Sequence, residues 1–309
     1  MTINIIPNIR LTLNLIIQPI LKQSPVKLIA CTLFAMHSTS VVATIMRHDI
    51  DPMEYLLDSY DYQSVIHSKN ASATLFAPRW VITAAHAFDS NLGQSDEQFG
   101  DLTIMGQEYQ VKQIHIHPDY RIVDGTVQHD IALVELTESV QSITPTSPYE
   151  GSDEIGKTMK LAGYGLTGDG INGVTLECFP CDLRGADNVV IEANDDVLTV
   201  RFDEPESAGS LPLEGVSGPG DSGGPMFIDT DNGRFIAGVS SRGDLLYNGK
   251  DAFTRVSTHL DWLSETMTSE YPGNYNGPSY SENNPTDNSK ELESDKRSGG
   301  GTFHFITLF

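Results

Sequence analysis

The sequence predicts an all-β body with one helix near its C-terminal end. Short stretches rich in β-branched and aromatic residues recur from 73 to 239. The 27 Gly and 16 Pro among 309 residues suit strands joined by tight turns better than a helical bundle. Near the end, Val256, Leu260, Leu263 and Met267 fall at spacings of three and four, the apolar stripe of a helix over about 257–268.

Taken in order, the strands are expected at 73–77, 79–83, 111–116, 131–136, 197–202, 225–228 and 235–239. The last two flank Asp229-Thr-Asp-Asn-Gly233, whose composition is that of a hairpin turn. With 39% hydrophobic and 20% charged residues, a packed core is expected and wholesale disorder is not.

Charge divides the chain into three parts. Residues 1–48 carry +4 and no acid, 49–269 carry -24, and 270–309 carry -3, for a net -23. So acidic a body opposes binding to nucleic acid phosphates. In the basic part, Lys22 and Lys27 precede the apolar run Leu28–Met36, and small residues lead to Val41-Val42-Ala43. This is the order of a secretory signal, so 1–43 reads as a leader cleaved near Ala43. Leu28-Ile29-Ala30-Cys31 also has the look of a lipoprotein box, and a buried helix is the bland alternative. At the other end, 270–309 is rich in Pro, Gly, Asn, Ser and charge without apolar periodicity, and reads as a disordered linker. The final eight residues, Thr302–Phe309, are too few to cross a bilayer, so no stable membrane span is expected in this chain.

Three motifs carry chemistry. A strand-forming run from Leu75 ends in the small residues Ala84-Ala85 and His86; Asp130 stands just before the apolar strand Ile131-Ala-Leu133; and Gly218-Pro-Gly-Asp-Ser-Gly-Gly-Pro225 sets Ser222 in glycine-rich backbone. Each is weak alone: a structural His, a strand-start Asp, a flexible turn. Their order, with spacings of 44 and 92 residues, sets them apart from three coincidences.

Together these residues resemble the trypsin-like (chymotrypsin-fold) serine endopeptidases. Pro78–His86, Asp130–Leu133, Gly163-Tyr-Gly165, Gly220–Pro225 and Gly238-Val-Ser240 carry the resemblance, which covers about 45–268. It implies two six-stranded antiparallel β-barrels within a 44–269 protease domain, their boundary near 140–155 around Thr144-Pro-Thr-Ser-Pro148. It implies His86 as general base, Asp130 as its orienting carboxylate and Ser222 as nucleophile, with the N–H groups of Gly220 and Ser222 as oxyanion hole. No cofactor or metal is implied, and the chain is expected to be a monomer acting on peptide or protein substrates. His129 is a rival base by position, expected to face outward. The alternative function is a catalytically inactive protease-fold binding or adhesion protein.

For substrate choice, the resemblance places Val216 at the floor of the primary pocket and Asp251 on its wall. Val216 argues against strict Lys/Arg cleavage, and Asp251 argues for it. Ser240 is expected to lend backbone to an extended substrate, and Arg242 to crowd or recognise the next subsite. Activation in the family inserts a new N-terminus, usually Ile-Val-Gly-Gly, against the acid before the nucleophile. Here Ile45-Met-Arg-His48 stands in that place, and Ile45 is expected to pair with Asp221 after leader removal. Cys178 and Cys181 are expected to form a local disulfide, half a zinc site being the other reading. Asp229–Gly233 lacks the further ligands and terminal Glu of a calcium loop. Finally, Ser298-Gly-Gly-Gly301 and the apolar end resemble the start of a Gly-Gly sorting signal of secreted or cell-surface proteins of Gram-negative bacteria. That signal continues into a full hydrophobic helix and a basic end, so the chain is either truncated or the likeness is accidental.

Overall fold

The computed structural model describes residues 44–274, apart from 70, 93, 95–98 and 177–181. The leader, the sorting-like end, Cys178 and Cys181 lie outside the described residues.

The chain forms β1 (Thr44–Met46), β2 (Val65–His67), β3 (Ser72–Ala77), β4 (Trp80–Thr83), β5 (Leu102–Ile104), β6 (Gln107–Tyr109), β7 (Val111–Ile116), β8 (Arg121–Val123), β9 (Thr126–Gln128) and β10 (Ala132–Leu136). After a crossing segment come β11 (Thr158–Gly163), β12 (Thr167–Asp169), β13 (Gly173–Leu176), β14 (Arg184–Ala193), β15 (Val197–Arg201), β16 (Gly215–Val216), β17 (Pro225–Thr230), β18 (Gly233–Gly243), β19 (Lys250–Arg255) and one helix, α1 (Leu260–Met267).

The second half closes as a six-stranded barrel in the order β11-β14-β15-β19-β18-β17. In the first half, β2-β3-β4-β10-β7 form a five-stranded sheet that pairing does not close, with β5–β6 as a separate hairpin. The expected first barrel is thus not closed by strand pairing; Leu102, Ile104 and Tyr109 of that hairpin share an apolar cluster with Leu75, Val81, Val134 and Leu136 of the sheet. Strands β3, β4 and β10 are buried at every residue, the polar Ser72, Thr74, Thr83 and Glu135 included, so both of their faces are covered. The hairpin expected at 229–233 joins β17 to β18, with Thr230 opposite Gly233.

A shared core unites the halves. Phe76, Ile82 and Leu133 pack with Phe227, Ile236 and Val239, and α1 adds Leu260, Leu263 and Met267 to the same cluster. These are the residues of the predicted stripe. The crossing segment bonds to both sides: Thr146 N–H to Leu75 O at 3.0 Å, and Ile236 N–H to Ser147 O at 2.9 Å. The composition of the tail overstates its reach, because Glu270 accepts from Trp80 Nε1–H at 2.8 Å and Tyr271 Oη donates to Glu150 Oε1 at 3.2 Å.

Candidate active site

His86 follows β4 in a short 3-10 turn, Ala85–Phe88, where the small side chains of Ala84 and Ala85 let the chain fold tightly in the interior. Asp130 enters from the loop before β10, after His129 at φ 49°. Ser222 lies between β16 and β17. Here Gly223 at φ 79° is required, because any Cβ would overlap Thr83 Oγ1 and Ser72 O on the facing strands. Missing side chains are thus what bring the Ser222 loop against the strand that leads to His86.

The three residues form one hydrogen-bonded line. His86 Nδ1 is 2.7 Å from Asp130 Oδ2 and His86 Nε2 is 2.9 Å from Ser222 Oγ. The His86 backbone N–H also donates to Asp130 Oδ1 at 2.8 Å. Burial by itself would push the Asp130 carboxyl up, but His86 and a hydroxyl donor outweigh it and hold it below the usual carboxylate range. That donor is Ser241, whose Oγ–H reaches Asp130 Oδ2 at 2.5 Å. Thr254 Oγ1 secures the Asp130 carbonyl at 2.8 Å.

Sequence reasoning missed both donors. Ser240-Ser241 offered two serines, and only tertiary register says which one faces Asp130. It also missed Ser72. Ser72 N–H donates to Ser222 O at 2.9 Å and Ser72 Oγ to Gly220 O at 3.0 Å. The peptide planes of the loop are therefore held by their carbonyls. Neither the Gly220 nor the Ser222 N–H has an acceptor among the described residues, and Gly220 adopts φ 94°.

The remaining residues of the pocket are sorted differently from expectation. Val216 pairs with Ile45 and is fully buried in an apolar cluster with Val200, Met226 and Phe253. Asp251 is buried too, but polar: Ser217 N–H and Oγ–H both donate to its Oδ2, at 2.8 and 2.7 Å, while Oδ1 has no partner. Burial raises it to about 7, opposed by the Ser217 bonds. Ser240 is not available to pair with a substrate, because its N–H donates to Gly224 O and its carbonyl accepts from Gly223 N–H, both at 2.8 Å. The edge of β18 that β17 leaves uncovered begins one residue later. Arg242 Nη1 reaches Val127 O in β9 at 3.0 Å.

Ile45 sits inside β1, between β12 and β16. Asp221 is buried and accepts from Gly165 and Gly218 N–H at 2.8 and 2.9 Å. Among the described residues no cation faces it, and burial raises it to about 6. His129 does not face outward as expected. Its side chain is 28% exposed, its ring stacks on His117, and its Nδ1 lies 3.1 Å from His259 Nε2.

A closed β-barrel, a second β-lobe and a Ser-His-Asp line buried where they meet define the architecture of a trypsin-like serine protease. The Trypsin family model matches residues 54–263, and the chain belongs to that family. It is 30% identical over 222 residues to mouse tryptase (64% of this chain, 78% of that protein). It is 30% identical over 186 residues to a trypsin of Simulium vittatum (55% and 70%). It is 27% identical over 243 residues to complement C1s subcomponent of Sus scrofa, covering 68% of this chain and only 34% of that longer protein. Among the described residues no helix is long and apolar enough to cross a membrane.

Proposed function

We propose that this chain is an exported serine endopeptidase that uses His86, Asp130 and Ser222. The observation that carries the reading is the unbroken line from Asp130 Oδ2 through His86 to Ser222 Oγ, ending beside two unpaired backbone N–H groups. His86 Nε2 takes the Ser222 hydroxyl proton as Oγ attacks the peptide carbonyl carbon. Asp130 holds the Nδ1–H tautomer and stabilises the imidazolium. The carbonyl oxygen, now an anion, is received by Gly220 and Ser222 N–H; one such donor contributes about 10²–10³-fold in rate. The imidazolium then protonates the leaving amine, and water repeats the sequence to free the acyl group from Ser222.

The preferred substrates carry Lys or Arg before the scissile bond. The unpartnered Oδ1 of Asp251 supports this, since a buried carboxylate oxygen without a donor is unfavourable and a basic side chain supplies one. The leader at 1–43 supports export. The test is covalent labelling with a fluorophosphonate, together with cleavage of a peptide library by wild type and Ser222→Ala. Labelling and cleavage that both vanish in the variant are expected. Correctly processed wild type that takes no label would point instead to a binding protein on a protease fold.

A further inference from the structure

Beside Asp130 the fold gathers three imidazoles that the proposed reaction does not use. His117 follows β7, His129 precedes Asp130, and His259 precedes α1. One nitrogen from each can be chosen so that all lie within 4.8 Å of one another, and His129 Nδ1 and His259 Nε2 are already 3.1 Å apart. A tetrahedral site with metal–nitrogen bonds of about 2.0–2.1 Å spaces its nitrogens by about 3.4 Å. One edge of that tetrahedron therefore already has nearly the right length. His259 Nδ1 lies 2.8 Å from Arg255 O, so Nδ1 carries the proton and the Nε2 lone pair points into the cluster. Such a backbone bond is how metal-bound histidines are commonly oriented. A carboxylate completes the group: Asp196 Oδ1 accepts from His129 N–H at 3.0 Å and stands 3.7 Å from His129 Nδ1 and 3.8 Å from His259 Nε2.

We propose that His117, His129 and His259, with Asp196 as fourth donor, bind a divalent transition ion of the zinc type. Imidazole and carboxylate donors suit such an ion, whereas calcium and magnesium prefer all-oxygen cages. His117 and His259 are buried and His129 is part-exposed, so the ion enters past His129. Loading turns the His117 ring out of its stack on His129 and gives up the 3.2 Å bond from Asp119 N–H to His117 Nδ1. It displaces the proton shared between His129 and His259. The bound ion ties together the turn after β7, the loop that holds Asp130 and the start of α1.

The test needs no proteolytic activity. Purified protein is stripped with a chelator, then titrated with Zn²⁺ while heat of binding and thermal unfolding are followed. One ion per chain is expected, with Tm raised by about 5–10 °C when free zinc is about a hundredfold above its dissociation constant. His129→Asn and His259→Gln each remove the shift. His259 is buried, so if that variant fails to fold, the more exposed His129→Asn carries the comparison. Co²⁺ in place of Zn²⁺ gives the intense visible bands of tetrahedral coordination in wild type and not in His129→Asn. A wild type whose Tm does not respond, a His129→Asn protein that keeps the full shift, or a weak octahedral cobalt spectrum would overturn the site.

Discussion

Ser217 donates twice to Asp251 Oδ2, through N–H at 2.8 Å and hydroxyl at 2.7 Å, and leaves Oδ1 buried without a partner. The two bonds fix the carboxylate's orientation, and the proposed preference for basic side chains rests on the remaining oxygen. Replacing Asp251 with Ser should cut kcat/KM on Lys and Arg substrates by about 10–100-fold, the worth of a hydrogen bond to a charged group, and spare apolar ones. Equal rates for both proteins on basic substrates would refute the assignment.

The same carboxyl makes ligand binding depend on pH. Burial pushes it up to about 7, and only its ionised form attracts a cation. Affinity for an arylamidine inhibitor should rise about tenfold per pH unit up to 7 and level off above. Asp251→Ser should show neither the slope nor the affinity; calorimetry across pH 5–8 reads both.

Ser241 is a positioning residue that acts through Asp130. Ser241→Ala removes the 2.5 Å bond to Oδ2 and should lower kcat about tenfold at unchanged KM. Ser241→Thr keeps the hydroxyl and should restore most of it. A change in KM alone, or equal losses in both variants, would count against this role.

Asp221 offers a test of activation whose sign reverses on processing. In the unprocessed chain its carboxyl is raised to about 6, above an ordinary value of about 3.9. The native state then keeps a proton that the unfolded state has lost. Stability from this group therefore falls as pH rises from about 4 to 6, and the penalty is complete above 6. Asp221→Asn should raise the Tm of leader-bearing Ser222→Ala protein at pH 7 and leave it unchanged at pH 4. If leader removal frees an amine that pairs with Asp221, the same substitution should lower the Tm. Thr44, the residue before Ile45, is buried and adopts φ 84°. N-terminal sequencing that finds a start well away from 43–46 would exclude this route.

Much of this was written locally in the chain. The strands at 72–77, 80–83, 111–116 and 132–136 were legible as short runs rich in β-branched, aliphatic and aromatic residues, and the helix because its apolar residues recur at spacings of three and four. His86, Asp130 and Ser222 were legible because each sits in its own short motif. Ser72, Ser241 and Thr254 were not, since a hydroxyl that bonds across the fold leaves no pattern in its own neighbourhood.

What the sequence by itself determined is the β architecture, the family and the identity of the three residues in line. Only the tertiary structure turned Val216 into the core beside Ile45 and left Asp251 Oδ1 buried without a partner. It alone brought His117 and His259, 142 positions apart by their numbering, onto His129. The physical reason is common to both: periodicity records which face of an element is buried, while contact between distant side chains is set by how those elements cross.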